Sequence, residues 1–149
     1  MNRPATRRSA MQDTNLRQVR LEWAGSGLIF HGGPDGGPEL TVDSGGEQGL
    51  TPTQLLLSSL AGCMAVDVLM ILEKGRVPVE ALEVEAIGER AETIPKRFVS
   101  LELVYRVKGP SEEDRPKLER AIELSRDKYC SVLHTLDPEI ALGIRIEPA

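Results

Sequence analysis

The run Thr51-Pro-Thr-Gln-Leu-Leu-Leu-Ser-Ser-Leu-Ala-Gly-Cys-Met-Ala-Val-Asp-Val-Leu-Met-Ile-Leu-Glu-Lys-Gly75 constrains this chain more than any other stretch. Thr51 can cap a helix, Pro52 suits its first position, and Gln54 completes a capping box. Gly75 suits a left-handed C-cap, and Lys74 meets the negative end of the helix dipole. Between those ends lie about 23 residues, roughly 35 Å at 1.5 Å per residue. Leu55, Leu56, Leu57, Leu60, Met64, Val66, Val68, Leu69, Ile71 and Leu72 run all round it, so burial on every side is expected. A membrane span is the rival, but Asp67 near the middle costs about 2.5–3.5 kcal/mol on insertion scales. Lys74 and Arg76 are the only basic anchors nearby, and no membrane partner is expected.

A chain of 149 residues builds one domain with a real core and little to spare. Such a domain seldom wraps this helix unaided, so a homodimer is expected; the alternative is one curved sheet plus a second helix. With aromatics at 3%, the core must come from Leu, Val, Ile and Ala. A net charge of −5 argues against a nucleic-acid partner, which wants a basic face. Arg3, Arg7 and Arg8 are followed by Met11-Gln-Asp-Thr-Asn rather than an apolar run, unlike a secretory signal. The expectation is a flexible tail over residues 1–14, a single domain over 15–149 and a reducing, cytoplasmic setting.

Alternation predicts the strands. Leu16 to Trp23 places Val19, Leu21 and Trp23 on one face, and Leu28 to His31 returns after the turn Ala24-Gly-Ser-Gly27. Glu39 to Asp43 follows, then a glycine-rich loop over Ser44–Gly49. After the helix, Val79 to Glu92 and Phe98 to Lys108 alternate, the latter with Val99, Leu101, Leu103, Tyr105 and Val107 inward. A second, amphipathic helix carries Leu118, Ala121, Ile122, Ser125 and Tyr129 on one stripe, capped by Asp114 with Pro116 in its first turn. Glu139 to Glu147 makes a last strand. The order βββ-α-ββ-α-β predicts an α+β fold, antiparallel sheets around the long apolar helix.

Two cysteines are present, Cys63 within the long helix and Cys130 just past the second. Together they would form a reversible dithiol/disulfide centre; apart, Cys63 is a small buried hydrophobe. A thiolate attacks a peroxide to give a sulfenic acid, which a second thiol traps as a disulfide. Cys63 suits the attacking role, with Ala61 and Gly62 keeping its approach open, and Cys130 the resolving role. Cys130 and His134 have metal-ligand spacing, but His31 lies elsewhere and no further pair is evident, so no metal is expected. No Ser–His–Asp set or glycine-rich phosphate loop can be assembled, and no cofactor is expected.

The run Thr51-Pro-x-x-Leu-Leu-Leu-x-x-Leu-Ala-Gly-Cys63-x-Ala-x-Asp67-Val resembles the OsmC/Ohr superfamily. So do Leu72-Glu-Lys-Gly-Arg76 and Ala121-Ile-x-Leu-Ser-x-x-Lys-Tyr-Cys130-Ser-Val. The likeness runs from about residue 16 to the C-terminus, nearer the OsmC-like branch than the organic hydroperoxide resistance branch. It implies an intertwined α+β homodimer and thiol-dependent reduction of organic hydroperoxides. Cys63 would attack, Cys130 would resolve, and a dithiol reductant would restore both. Two charged helpers of that family are missing here: Thr53 stands where its peroxidases carry a glutamate, and Ala24-Gly-Ser-Gly27 where they carry an arginine. Arg17 and Glu47 are the conceivable substitutes, though neither matches a motif and both also read as solvated surface charges. The expected activity is a cytoplasmic peroxidase of oxidative-stress defence acting on organic hydroperoxides or another small apolar electrophile. The alternative is a non-catalytic member of the fold that binds an apolar ligand or senses redox state.

Overall fold

The computed structural model describes residues 15–149, and the N-terminal stretch expected as a tail lies outside them. The chain divides into two compact units, Met1–Pro52 and Thr53–Ala149.

In the first unit, β1 (Arg20–Trp23), β2 (Ile29–Gly33) and β3 (Leu40–Asp43) form an antiparallel sheet in chain order. The β1–β2 turn closes through the Ala24 amide on the Ile29 carbonyl at 2.9 Å, with Gly25 and Gly27 at positive φ. The expected half-buried face of β1 is absent: Val19, Leu21 and Trp23 all stay exposed. A three-stranded sheet with no helix among the described residues of its unit has too little described chain to cover a face. The glycine-rich loop that follows is organised by one carboxylate. Buried Asp43 accepts from the amides of Gly45 at 2.8 Å, Glu47 at 3.1 Å and Gln48 at 2.9 Å. Those amides hold its pKa below the usual carboxylate range despite burial.

The second unit holds α1 (Pro52–Lys74), β4 (Ala81–Arg90), β5 (Phe98–Lys108), α2 (Arg115–Leu124), α3 (Ser131–Thr135) and β6 (Ala141–Glu147). The helix ends near where its sequence demands, with one correction at the C-terminus. Val77 donates to the Leu72 carbonyl and Arg76 to Glu73, both at 2.9 Å, the paired bonds of a Schellman ending. The left-handed residue is therefore Arg76, at φ 57°, and Gly75 is one position too early.

Burial on every side is also corrected. Leu60, Met64, Val68 and Leu72 are at most 1% exposed and join the core, whereas Val66 is 56% and Met70 63% exposed. One sheet and one short helix fully bury a single stripe of α1; Leu57, Cys63 and Ile71 are half-buried beside it, while Leu56, Val66, Leu69 and Met70 stay exposed among the described residues. By length and composition α1 could cross a membrane, yet that stripe packs among core side chains.

The sheet order is β4-β5-β6. β4 and β5 are antiparallel as expected, but β6 runs parallel to β5, so the sheet is mixed rather than antiparallel. The connection through α2 carries the chain back to the same end of the sheet before β6 begins. A register shift at Glu89/Arg90 pairs Arg90 with Phe98 and Glu89 with Ser100, leaving Val99 as the extra residue of a bulge. Phe98 thus fills the core place that simple alternation assigns to Val99, which is 38% exposed. Gly88 admits the ring: a Cβ there would lie 2.4 Å from Phe98 Cε1.

The outer face of this sheet is held by charge. Arg106 pairs with Glu83, Glu85 and Glu147, and Arg145 with Glu102 and Glu147. Val104, whose neighbours across the sheet are Glu85 and Arg145, is fully buried beneath these long side chains.

Before α2, Ser111 rather than Asp114 supplies the capping oxygen, accepting from the Asp114 amide at 3.3 Å at the start of a 3₁₀ turn. After α2 the chain widens into one π turn, Ser125–Tyr129. That turn shifts the stripe, so Ser125 stays buried while Tyr129 is 50% exposed.

Candidate functional site

The π turn delivers Cys130 to α1. Cys130 caps α3, its sulfur accepting from the Leu133 amide at 3.3 Å, and its side chain is fully buried. Cys63 stands half-buried on α1 with its sulfur 3.9 Å from the Ser131 hydroxyl. The two sulfurs and a carboxylate oxygen of Asp67 lie within 4.8 Å of one another. A disulfide needs about 2.05 Å between sulfurs, so the two thiols must draw closer to bridge. No disulfide is present; both cysteines are free thiols.

Environment makes the two thiols unlike. Burial pushes Cys63 up, but its thiolate would accept hydrogen bonds from the Val132 amide, the Cys130 thiol and the Ser131 hydroxyl. Those bonds outweigh burial and the opposing Asp67 charge, and the pKa falls below the ordinary thiol value. Cys130 is pushed up to about 11, first by burial and then by the neighbouring Cys63 and Asp67 charges. Of the two, Cys63 is therefore the thiol that ionises first. Beside it, a Cβ at Gly62 would meet nothing within 4 Å among the described residues.

Asp67 stands one turn beyond Cys63 and accepts from the buried Ser125 hydroxyl at 2.8 Å. Tyr105, on β5, buries a hydroxyl without a hydrogen-bond partner. Burial, then the charges of Cys130 and Asp67, push its pKa far up. His134 turns its Nδ1 to the Cys130 carbonyl at 2.7 Å, so its ring is engaged with backbone rather than with the sulfur. A groove of about 310 Å³ lined by Ile71, Val77, Pro116 and Arg120 lies towards the other end of α1 and holds neither cysteine.

These shifts give a pH profile with a maximum. The folded chain releases the Cys63 proton early, so stability rises with pH up to the unfolded thiol value of 9.0. Between 9.0 and about 11 the unfolded chain has lost the Cys130 proton while the folded one keeps it, so stability falls. Thermal melts of the reduced protein should show this fall beginning near pH 9.0, and Cys130→Ser should delay its onset towards pH 10.0, where the buried Tyr105 hydroxyl makes the same demand.

The sequence pattern of the family described as OsmC-like protein matches residues 45–145, a span that includes both thiols. The chain belongs to the OsmC-like family. Protein YhfA of Escherichia coli K12 is 36% identical over 124 residues, 83% of this chain and 91% of that protein. The crystal structure of a hypothetical protein from Aquifex aeolicus VF5 matches with TM-score 0.79 and 35% identity, covering 91% of this chain and 98% of that one. The organic hydroperoxide resistance protein OhrB of Bacillus subtilis shares the fold at TM-score 0.60 and 16% identity, over 87% of this chain and 96% of that one.

Within this OsmC-like protein, the position that lacks the family glutamate and the two conceivable substitutes fall as follows. Thr53 lies in the first turn of α1. Arg17 and Glu47 belong to the N-terminal unit, with exposed side chains. The charge that acts on Cys63 is instead the carboxylate of Asp67, and it opposes ionisation. Asp67 was visible in the sequence as a residue four after Cys63, a spacing that stacks both on one helix face. Ser125 and Ser131 stood in the run that carries the resemblance and Tyr105 on an inward face, but only the tertiary fold brings them to the thiols.

Proposed function

We propose that this OsmC-like protein reduces organic hydroperoxides through Cys63 and Cys130. The observation that carries the reading is a pair of thiols remote in sequence whose sulfurs lie within 4.8 Å of each other, Cys63 half-buried and Cys130 fully buried. The Cys63 thiolate attacks the outer peroxide oxygen, the O–O bond breaks, and the alkoxide takes a proton to leave as an alcohol. Cys63 becomes a sulfenic acid. The Cys130 sulfur then attacks Cys63, water leaves, and a disulfide forms. A dithiol reductant of the cytoplasm returns both thiols by exchange, taking the disulfide onto itself. The fold shared with OhrB supports the chemistry, and the hydrogen bonds from Val132, Cys130 and Ser131 do for the thiolate what a cation would otherwise do.

The test counts free thiols before and after one equivalent of cumene hydroperoxide and follows turnover with a dithiol. Loss of both thiols with sustained turnover is expected. Loss without turnover would point to redox sensing, and no loss to a binding module.

A homodimer belongs to the same reading. Leu56, Val66, Leu69 and Met70 leave an apolar side of α1 open within the chain, and a second copy has the matching surface. Leu69→Glu should move the protein from dimer to monomer in sedimentation, whereas a wild type that sediments as a monomer removes this part of the proposal.

A further inference from the structure

The thiol pair has a third member that peroxide chemistry does not use. A carboxylate beside a thiolate works against it, since like charges in close quarters disfavour each other. Two thiolates and a carboxylate are, by contrast, a donor set for a divalent cation, and sulfur ligands select zinc-like ions. We propose that the reduced cluster binds one Zn²⁺ per chain through Cys63 Sγ, Cys130 Sγ and a carboxylate oxygen of Asp67, with its fourth position open.

The geometry is close to that requirement. Tetrahedral zinc with Zn–S of about 2.3 Å holds its sulfurs about 3.8 Å apart, and the three donor atoms already lie within 4.8 Å of one another. The surrounding groups are those that orient metal ligands. Ser125 donates to one oxygen of Asp67 at 2.8 Å and so fixes the carboxylate. The Leu133 amide donates to Cys130 Sγ at 3.3 Å. Cys63 and Asp67 are half-buried, which gives the ion a way in, while Cys130 is sealed behind them. Tyr105 adds a buried hydroxyl that the resting cysteine pair leaves idle.

This site does not depend on the peroxidase reading, although it would regulate it. A bound ion occupies the Cys63 electron pair that an oxidant must reach. Two-electron oxidation of both thiolates by a hydroperoxide, which takes two protons to become alcohol and water, would form the disulfide and release the ion.

The experiment uses reduced, chelator-stripped full-length protein, titrated anaerobically with Co²⁺ and then Zn²⁺. The expected result is a thiolate-to-cobalt charge-transfer band saturating at one ion per chain and bleached by Zn²⁺. Cys63→Ser and Cys130→Ser should lose the band, and Ser125→Ala should weaken binding about 10–100-fold. Wild type alkylated at Cys63 with iodoacetamide, its fold checked by circular dichroism, should also lose it and guards against misfolded variants. No band in wild type, or a band that survives Cys130→Ser, overturns the proposal. Because no peroxide is present, inactivity towards hydroperoxides leaves the outcome untouched, and binding without turnover would sink only the peroxidase reading.

Discussion

Cys63→Ser should lower hydroperoxide turnover by roughly a thousandfold or more, because no second group supplies the nucleophile. Cys130→Ser should behave differently. Its first turnover should run at near wild-type rate, since Cys63 and the Val132 amide remain in place. The reaction should then stall, because the sulfenic acid has no partner to trap it, and further peroxide should drive it to sulfinic and sulfonic acids. Intact-protein mass spectrometry reads this directly as the stepwise gain of one, two and three oxygen atoms at Cys63. Equal turnover in both variants and wild type would leave the pair without a catalytic role.

Leu60→Ala should cost about 2–5 kcal/mol, a large part of the roughly 5–15 kcal/mol that holds a typical domain together. Leu60 is wholly buried, in a core cluster with Met64, Val68, Leu103 and Tyr105, where a lost isobutyl group leaves a cavity. The urea midpoint should drop with little change in slope. Met70→Ala is the control. At 63% exposure it should cost within about 0.5 kcal/mol in an isolated chain. A larger loss that grows on dilution would mean that a second copy covers it.

Much of this fold was legible because periodicity reports packing. Leu82, Val84 and Ala86 alternate with exposed glutamates and sit half-buried as expected, and Leu142, Ile144 and Ile146 are half-buried between exposed Gly143 and Arg145. The failures share a cause. Val99 was misread because a bulge adds a residue without altering the sequence rhythm. Tyr129 was misread because one wide helical turn displaced the stripe. The direction of β6 depends on where α2 carries the chain, which no local pattern records. Gly75 was a reasonable C-cap, but the helix ran one residue further and Arg76 took the left-handed conformation.

The candidate site divides in the same way. Both cysteines could be named in advance from chemistry and from family resemblance, whereas their partners could not. Ser125 looked like one more residue on an amphipathic stripe, and it proves to hold the carboxylate beside the sulfurs. Asp67 read as a cost to a membrane span, and it is the charge nearest the reactive thiol.

The wet side of the second sheet carries one more consequence. Each guanidinium there serves several acids: Arg106 holds Glu83, Glu85 and Glu147, and Arg145 shares Glu147 while holding Glu102. Arg106 on β5 thereby ties β4 to β6, so Arg106→Ala should release three acids at once and loosen the grip of all three strands on one another.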